Sequence, residues 1–210
     1  MFWISFEGLD GSGKTTQAAM LAERLDAVLT REPGGTSLGE RLRHELLHTD
    51  GEIDSRTEML LYAADRSHHL NRVVLPALAA NRCVVSDRSV WSSVAYQGYG
   101  RGLGASLVHQ VNEAALSGTW PHAVVLLDVP RRETVQRMDR ALDRIESAPE
   151  SFHVSVAHGF AELASEFQWI VVDGSLPVTT VHDMVVAALS ASLGEAFLQR
   201  VGSDSATHDN

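Results

Sequence analysis

Eight residues near the start of the chain constrain its fold more than any other stretch. Residues 8–15 are Gly-Leu-Asp-Gly-Ser-Gly-Lys-Thr, which matches G-x-x-x-x-G-K-[ST] without a mismatch. An apolar run rich in strand formers, Phe2–Phe6, precedes them, and apolar residues spaced three and four apart predict a helix from Thr15 to Leu25. In the order strand, glycine-rich turn, helix, backbone N–H groups and the helix N-terminus bind phosphate groups. The segment therefore predicts a phosphate-binding loop within an α/β fold.

The residues expected to act on phosphate include a lysine that occurs once in the chain. Lys14 is the only lysine, and all other basic residues apart from histidine are arginines. In such a loop the compact ammonium reaches the terminal phosphates of a nucleotide as a point charge, and Thr15 holds Mg²⁺ through its hydroxyl. A second apolar run, Cys83–Ser86, ends in Asp87, where a carboxylate supports Mg²⁺ in phosphate-loop enzymes. Arg88 is then placed to bind a second phosphate. The alternative is that Asp87 caps a helix and Arg88 is a surface arginine.

The composition predicts a single domain and excludes several other classes of protein. The 210 residues are 44% hydrophobic, which is ample for one core, and residues 1–200 are expected to form it. No apolar run reaches the ~18 residues of a membrane span, and no signal-peptide pattern is present. The single cysteine, Cys83, favours a reducing, cytoplasmic location. A net charge of −10 argues against a nucleic-acid partner. The polar residues 201–210 are expected to form a disordered tail.

Five strand-like runs alternate with helical stretches. The strands are predicted at Phe2–Phe6, Ala27–Thr30, Cys83–Ser86, Ala123–Val129 and Trp169–Val172. Several are continuous runs of Val, Ile and Leu, which indicates strands buried on both faces of a parallel sheet. Further helices are predicted at Ser37–His48, Ser55–Ala80, Ala105–Ser117, Arg131–Arg144, Ser151–Phe167 and Val178–Leu193. The alternation predicts a five-stranded parallel sheet flanked by helices, with ligands beyond the C-terminal ends of the strands.

Two segments interrupt this alternation. Residues 97–104 contain four glycines and predict a mobile loop. Residues 137–150 carry three arginines, Arg137, Arg140 and Arg144. Their spacing is compatible with a phosphate-binding segment. It is equally compatible with a solvated helix face on which the arginines pair with Asp139, Asp143 and Glu146.

Several short motifs together resemble those of a known family. They are Phe6–Gln17, Thr30–Thr36, Tyr62–Arg66, Asp87 and Arg88 with Ser92, Ser93 and Ala95–Gly98, Leu127–Val129, and Leu142–Glu146. In this order, over residues 2 to about 175, they resemble the motifs of thymidylate kinases. The phosphate loop has Gly11 where one branch of that family has arginine, so the chain is similar to the bacterial branch, whose arginines lie in a lid. The resemblance implies a three-layer phosphate-loop nucleoside monophosphate kinase fold with a short arginine-rich lid at about residues 137–150. It also implies ATP and Mg²⁺, dTMP as acceptor, and a homodimer.

The resemblance implies roles for selected residues of these motifs and of the lid. Those implied in ATP binding are Gly8, Leu9, Asp10, Gly11, Ser12, Gly13, Lys14, Thr15, Thr16 and Arg137. Those implied in dTMP binding are Asp10, Glu32, Pro33, Arg43, Tyr62, Arg66, Arg88, Ser92, Ser93, Tyr96 and Gln97. The implied catalytic residues are Lys14, Arg88, Arg140 and Arg144, and the implied metal ligands are Thr15 and Asp87.

The resemblance also implies which part of dTMP each residue contacts. Asp10 accepts a hydrogen bond from the 3′-hydroxyl of dTMP, and Tyr62, in place of the family's usual phenylalanine, stacks on thymine. Arg66 donates to O4 of the base, while Ser93 and Gln97 bind its remaining polar edge. Tyr96 occupies the space of a ribose 2′-hydroxyl. Arg31, Arg43 and Arg88 bind or approach the acceptor phosphate.

The chain departs from the family pattern at two further positions. Ser89 follows the Asp-Arg pair where tyrosine or histidine is usual, and Ser155 stands where arginine is frequent. These departures concern the anchoring of the lid rather than the class of reaction.

Other classes of function share parts of this pattern. His44–His48 matches the zinc motif H-E-x-x-H, but it lies on an amphipathic helix and no third ligand stands out. The guanine-specificity motif of GTPases, Asn-Lys-x-Asp, needs a second lysine, which the chain lacks. An ATPase that acts on nucleic acid is disfavoured by the acidic balance. Another nucleoside or nucleotide kinase of the same fold stays the closest alternative, since the choice of acceptor depends on Tyr62, Arg66, Ser93 and Tyr96.

Overall fold

Five parallel strands form the central sheet. The structure is a computed structural model that describes residues 1–49 and 51–202. The strands are β1 (Trp3–Glu7), β2 (Val28–Arg31), β3 (Val84–Asp87), β4 (Ala123–Asp128) and β5 (Ile170–Asp173). They are ordered β2-β3-β1-β4-β5, and every neighbouring pair is parallel. The predicted five-stranded parallel sheet is therefore confirmed, and most of its strands begin one residue later than predicted.

Helices cover both faces of the sheet and complete the predicted three-layer architecture. They are α1 (Lys14–Arg24), α2 (Ser37–His48), α3 (Ser55–His69), α4 (Leu75–Ala79), α5 (Val90–Ser93), α6 (Ala105–Leu116), α7 (Arg131–Gln136), α8 (Glu150–Glu166), α9 (Val178–Leu193) and α10 (Glu195–Gly202). Two π-helical turns, Leu70–Val74 and Val94–Gly100, continue α3 and α5. No helix in the described part of the chain is long and apolar enough to cross a membrane.

Alternation along the strands divides the core into two layers. Successive strand residues point to opposite faces of a sheet. Val124 and Leu126 of β4 therefore pack into the cluster covered by α2, α3, α6 and α8. Val125 and Leu127 pack into the cluster covered by α1, α9 and α10. All four side chains are at most 7% exposed, which explains why β4 is a continuous apolar run.

The predicted helix Arg131–Arg144 is wrong in its second half, because α7 ends at Gln136. Beyond it, side chains bind backbone donors that a helix would need. Asp143 Oδ1 accepts from the N–H groups of Ile145 and Glu146, both at 2.9 Å. Glu146 Oε2 accepts from Asp143 N at 3.0 Å. These reciprocal bonds form a capping box that starts a separate turn at residues 144–147 and leaves Asp143 outside a helix, so residues 137–149 form an irregular segment.

The first half of the predicted loop at residues 97–104 is helical instead. The π-helical turn extends to Gly100, and Gln97 within it is only 1% exposed. A Cβ atom on Gly100 would lie 2.6 Å from Cε2 of Phe152 in α8. The glycine therefore permits close packing against α8, and the composition of this stretch was a poor guide to its structure.

The last described helix, α10, was not predicted from the sequence. It extends to Gly202, and its Phe197 is fully buried against the α1 and α9 layer. The helix therefore crosses the expected boundary between the domain and its tail. Residues 203–210 of the expected tail lie outside the described residues.

We expect Phe197→Ala to lower the free energy of unfolding by about 3–5 kcal/mol, because it leaves a cavity in a closed core. Its neighbour Leu198 is 50% exposed, so Leu198→Ala is expected to change that free energy by no more than about 0.5 kcal/mol. Urea unfolding followed by circular dichroism measures both values. Equal effects of the two substitutions would show that α10 does not belong to the core.

Candidate active site

The C-terminal ends of three adjacent strands bring the predicted motifs together. In the sheet register Asp87 of β3 lies beside Phe6 of β1 and beside Arg31 of β2. The segments that follow these strands therefore meet at one edge of the sheet. They are the phosphate loop, residues 32–36, and Arg88 with Ser89. This is the edge at which open parallel sheets bind ligands.

Two glycines of the phosphate loop are required by its close packing. Gly8 and Gly11 have φ angles of 138° and 86°, in the region that favours glycine. A Cβ atom would lie 2.6 Å from the carbonyl oxygen of Leu127 at Gly8, and 2.4 Å from that of Thr134 at Gly11. The loop thus follows a path that only glycine permits. It ends at the N-terminus of α1, whose free N–H groups favour an anion.

Lys14, the first residue of α1, lies inside the loop. It is 5% exposed, and its Nζ donates to the carbonyl oxygen of Leu9 at 2.7 Å. Burial lowers the pKa of Lys14 to about 8, and the positive charge of Arg88 adds to this effect. A buried ammonium has lost the water that would solvate its charge. An anionic ligand beside it would therefore stabilise the charged form.

The two predicted metal ligands lie in direct contact. Thr15 Oγ1 donates to Asp87 Oδ2 at 2.5 Å. Mg²⁺ commonly takes only one or two protein ligands and completes its shell with water and substrate phosphates, so a hydroxyl beside a carboxylate fits it. The zinc motif is different: the rings of His44 and His48 lie 5.6 Å apart, and no group of three His, Cys, Asp or Glu side chains suited to a metal occurs among the described residues.

A cleft of about 1170 Å³ opens over the phosphate loop. Two of the three arginines of the segment 137–149 line it, Arg137 and Arg140. Arg137 Nη1 donates to the carbonyl oxygen of Gly174 at 3.0 Å. Arg140 pairs with Glu146 at 2.5 Å, and its side chain is 57% exposed. Both arginines thus line the cleft above the phosphate loop. The alternative prediction placed them on a solvated helix face, but residues 137–149 are not helical.

Arg144 is not brought to this cleft. Its Nε donates to the carbonyl oxygen of Leu46 at 2.8 Å, and its Nη2 donates to Glu58 Oε2 at 2.6 Å. Its backbone N–H also donates to the carbonyl oxygen of Leu47 at 3.1 Å. Arg144 therefore fastens the segment 137–149 to α2 and α3.

A small pocket of about 60 Å³ lies beside the cleft. All eleven residues predicted to bind the acceptor line it, namely Asp10, Glu32, Pro33, Arg43, Tyr62, Arg66, Arg88, Ser92, Ser93, Tyr96 and Gln97. Four residues that were not predicted to bind the acceptor complete the lining, Leu47, Ser89, Asp143 and Ile145. Arg31 lines only the larger cleft, where it pairs with Glu40 at 2.8 Å.

Arg88 and Asp10 form an ion pair where the cleft and the pocket meet. Arg88, whose φ is 73°, donates to Asp10 Oδ1 at 2.5 Å and to the Tyr96 hydroxyl at 3.0 Å. That hydroxyl donates in turn to Asp10 Oδ2 at 2.9 Å. Burial alone would raise the pKa of Asp10, but the charges of Arg88 and Lys14 hold it well below its usual range. Both members of the pair are therefore charged.

A buried network supports the far wall of the pocket. Arg66 is 1% exposed and donates from Nε to Glu32 Oε2 at 2.7 Å. It also donates to Ser93 Oγ at 3.1 Å and to Asn112 Oδ1. His69 contacts Glu32 Oε1 through Nδ1 at 3.0 Å. Arg66, which lines the pocket, is thus held in place by protein groups through all three of its guanidinium nitrogens.

Comparison with known proteins identifies the family. The family model described as thymidylate kinase matches residues 6–185. A thymidylate kinase of Caldanaerobacter subterraneus is 42% identical over 199 residues, which are 91% of this chain and 96% of that protein. One of Pelotomaculum thermopropionicum is 43% identical over 208 residues, 94% of this chain and 96% of that protein. This chain belongs to the thymidylate kinase family.

A solved structure supports the same conclusion for the fold. The crystal structure of thymidylate kinase from Ehrlichia chaffeensis superposes with a TM-score of 0.75 at 34% sequence identity. The match covers 90% of this chain and 98% of that one. The phosphate-loop kinase fold expected from the sequence is thereby confirmed.

Two buried carboxylates of this member of the thymidylate kinase family, Glu7 and Glu58, had no role predicted from the sequence. Glu7, at the end of β1, accepts from Ser89 N at 2.8 Å, from Ser89 Oγ at 2.7 Å and from Ser92 Oγ at 2.5 Å. Ser92 in turn accepts from Arg88 Nη1 at 2.8 Å. Glu58 resembles an ordinary first-turn acid of α3, a position where acids are common. Neither position carried a sequence signal of burial.

The pH dependence of stability tests the burial of Glu7. Burial raises its pKa to about 7 from 4.5, so the folded state holds a proton that the unfolded state releases. This stabilisation is present below pH 4.5 and is lost as the pH rises through about 7. Glu7→Gln removes the titration, so the stability of wild type relative to this variant is expected to fall by on the order of 3 kcal/mol between pH 4.5 and 8.

Urea unfolding at a series of pH values measures this difference. Glu23→Gln, at an exposed position of α1, is the matched control and is expected to follow the wild-type curve. Parallel curves for wild type and Glu7→Gln would show that Glu7 is not buried in the protonated form.

Proposed function

We propose that this chain transfers the γ-phosphoryl group of ATP to the 5′-phosphate of dTMP, with ATP in the large cleft and dTMP in the small pocket. One observation supports this division of the site most strongly. Asp10, Glu32, Arg43 and Arg88 line both cavities, so the two adjoin at a point that carries two guanidinium groups. Two phosphate groups that meet there would have their mutual repulsion neutralised.

The donor half of the site would hold the phosphates of ATP. The N–H groups of the phosphate loop and Lys14 would bind the β- and γ-phosphates, with Arg137 and Arg140 facing them across the cleft. Thr15 and Asp87 would hold Mg²⁺, directly or through water. The ion would neutralise charge on the β- and γ-phosphate oxygens.

The acceptor half would hold dTMP by its phosphate, sugar and base. Arg88 and Arg43 would bind the phosphate, and Asp10 would accept from the 3′-hydroxyl of the sugar. Tyr62 would stack on the base, whose polar edge faces Arg66, Ser93 and Gln97 in this arrangement. Tyr96 packs against Asp10 and Arg88 and would leave no room for a 2′-hydroxyl.

The chemistry needs no general base. The second pKa of a phosphate monoester is about 6, so the attacking oxygen is largely deprotonated at neutral pH. Catalysis then depends on holding the two phosphates in line and on stabilising the charge of the transferring group. Lys14, Arg88 and Arg140 are the proposed sources of that charge stabilisation. Arg144 would contribute directly only after leaving Glu58.

Nucleotide binding requires the acceptor pocket to enlarge. Its volume of about 60 Å³ is far below the roughly 300 Å³ or more of typical small-molecule sites. Asp143 and Ile145 of the segment 137–149 form part of its lining. We therefore propose that this segment is a lid, which opens to admit dTMP and closes over both substrates.

A homodimer and a cytoplasmic location are further parts of the proposal. Leu60 and Leu75, on one continuous helical stretch, are 55% and 38% exposed, and such apolar side chains favour a helix-to-helix contact between copies. Sedimentation equilibrium would distinguish a dimer from a monomer. Cys83 is a buried free thiol, as expected in a reducing compartment.

A coupled assay of ADP release tests the reaction and its acceptor. Purified protein with MgATP is assayed with dTMP, dUMP, UMP, dCMP, AMP or thymidine, and without acceptor. We expect strong turnover with dTMP and little without an acceptor. Turnover that is independent of any acceptor would contradict a kinase, and preference for another acceptor would contradict the assignment of the pocket.

The Arg88→Ala variant tests the division between donor and acceptor. Loss of a charge-assisted contact to the acceptor phosphate is expected to raise the KM for dTMP roughly tenfold or more, while the KM for ATP changes by less than about threefold. Arg41→Ala, at an exposed position of α2 outside both cavities, is the control and is expected to retain wild-type constants. Equal increases in both KM values for Arg88→Ala would contradict its role at the acceptor.

A further inference from the structure

We propose that Glu58 is a positioning residue for base recognition: from behind the acceptor pocket it orients the side-chain amide of Gln97 so that the amide oxygen faces the base. The oriented oxygen selects a pyrimidine that carries a hydrogen on N3, such as thymine, and rejects cytosine. The inference rests on the proposed function and names a residue that does not itself touch the substrate.

Glu58 is a buried anion surrounded by donors. It is fully buried and does not line the pocket. Its Oε1 accepts from Gln97 Nε2 at 2.9 Å and from Arg101 Nε at 3.1 Å. Its Oε2 accepts from Arg101 Nη2 at 3.0 Å and from Arg144 Nη2 at 2.6 Å. Burial opposes ionisation, but these donors lower the pKa of Glu58 below its usual value. The carboxylate therefore accepts hydrogen bonds and donates none.

The charge of Glu58 determines which way the amide of Gln97 points. An ionised carboxylate requires the NH₂ group on its side, so the oxygen lies on the other side. Gln97 is 1% exposed and lines the pocket, yet its Oε1 has no hydrogen-bond partner among the described residues. A buried acceptor without a donor is unfavourable, because it has lost its water without gaining a partner. The pocket is thus suited to a ligand that donates at this point.

Two other side chains that line the pocket, Arg66 and Ser93, can present donors. Arg66 can only donate, and Ser93 Oγ accepts from Arg66 Nη2 at 3.1 Å, which leaves the Ser93 hydroxyl hydrogen free to donate. The wall therefore offers donors from Arg66 and Ser93 and an acceptor from Gln97. Thymine has the complementary pair, an acceptor at O4 and a donor at N3. Cytosine has the reverse pair, an amino group and an unprotonated N3.

Glu58→Gln tests the proposal because it replaces two acceptor oxygens with one oxygen and one NH₂ group, so the new amide must adopt one of two orientations. The new NH₂ group must face either Arg101 and Arg144, or Arg101 and Gln97. A guanidinium has no acceptor, whereas the amide of Gln97 can rotate to present its oxygen. The NH₂ group is therefore expected on the Gln97 side, where it turns the NH₂ group of Gln97 toward the base.

The experiment is a double-mutant cycle on acceptor discrimination. kcat/KM is measured for dTMP and dCMP with wild type, Glu58→Gln, Gln97→Met and the double variant. Effects on kcat that arise through Arg144 apply to both acceptors and cancel in the ratio. We expect wild type to favour dTMP by roughly 10²-fold or more, and each single variant to lower that ratio about tenfold or more. In the Gln97→Met background, Glu58→Gln should change the ratio by less than about twofold.

Arg101→Met is the matched control. It removes two hydrogen bonds to Glu58 and a cation–π contact with Phe152, but leaves the bond between Glu58 and Gln97. It is expected to lower the melting temperature while retaining the dTMP to dCMP ratio within about twofold. A loss of discrimination as large as that of Glu58→Gln would overturn the proposal, because any damage around Glu58 would then suffice.

Two other outcomes would overturn the proposal. An unchanged ratio in Glu58→Gln, or an equal loss in the presence and absence of Gln97, would mean that Glu58 acts only as a structural anchor. If wild type forms no ADP in response to dTMP, the proposed function itself fails, and this inference fails with it. The wild-type assay alone thus separates the two failures.

A second measurement applies if Glu58→Gln does not fold. The substrate probe is dTMP methylated on N3, which cannot donate to Gln97. Wild type is expected to lose about tenfold or more in kcat/KM with this probe, and Gln97→Met substantially less. Equal losses in the two proteins would show that the oxygen of Gln97 does not face N3 and would overturn the proposal.

Discussion

The ion pair between Arg88 and Asp10 is the contact on which the rest of the site depends. It joins the end of β3 to the phosphate loop that follows β1, and it lies where the two cavities meet. Charges buried in this way are favourable only when they are paired and hydrogen-bonded. The Tyr96 hydroxyl bonds to both partners, and Ser92, which Glu7 holds, bonds to Arg88. Contacts within the protein therefore hold charges of both signs at the junction.

Much of the fold was predictable from the sequence because its strands are buried on both faces. Short runs of β-branched residues such as Val84 and Val85 in β3 favour buried strands, and the order of strand, loop and helix around Lys14 located the start of the sheet. Where polar side chains take backbone hydrogen bonds, local spacing failed. Asp143 and Glu146 cap a separate turn, so the stretch predicted as one helix over residues 131–144 is helical only as far as Gln136. Phe197 in α10 is an isolated aromatic residue whose burial depends on tertiary packing.

The site was predictable where it is formed by contiguous motifs. The residues assigned to the acceptor from their resemblance to the family all line one pocket, although their contacts with dTMP stay a prediction. Residues that act through others carry no comparable signal. Glu58 lies far in sequence from Gln97 and Arg144, and only the fold brings the three side chains together. The position of Arg144 likewise depends on its ion pair with Glu58. The sequence spacing of Arg144 from the other arginines gives no sign of this pair.

The two cavities adjoin at Arg88 and Asp10, where we expect the donor and acceptor phosphates to meet in one site. The most direct test is the inhibition produced by a dinucleotide in which adenosine and thymidine are joined through five phosphates. If the cavities are continuous, this compound should bind roughly a hundredfold or more tighter than either substrate. It should also compete with both ATP and dTMP. Competition with only one of them, at an affinity no better than that substrate's own, would contradict the account.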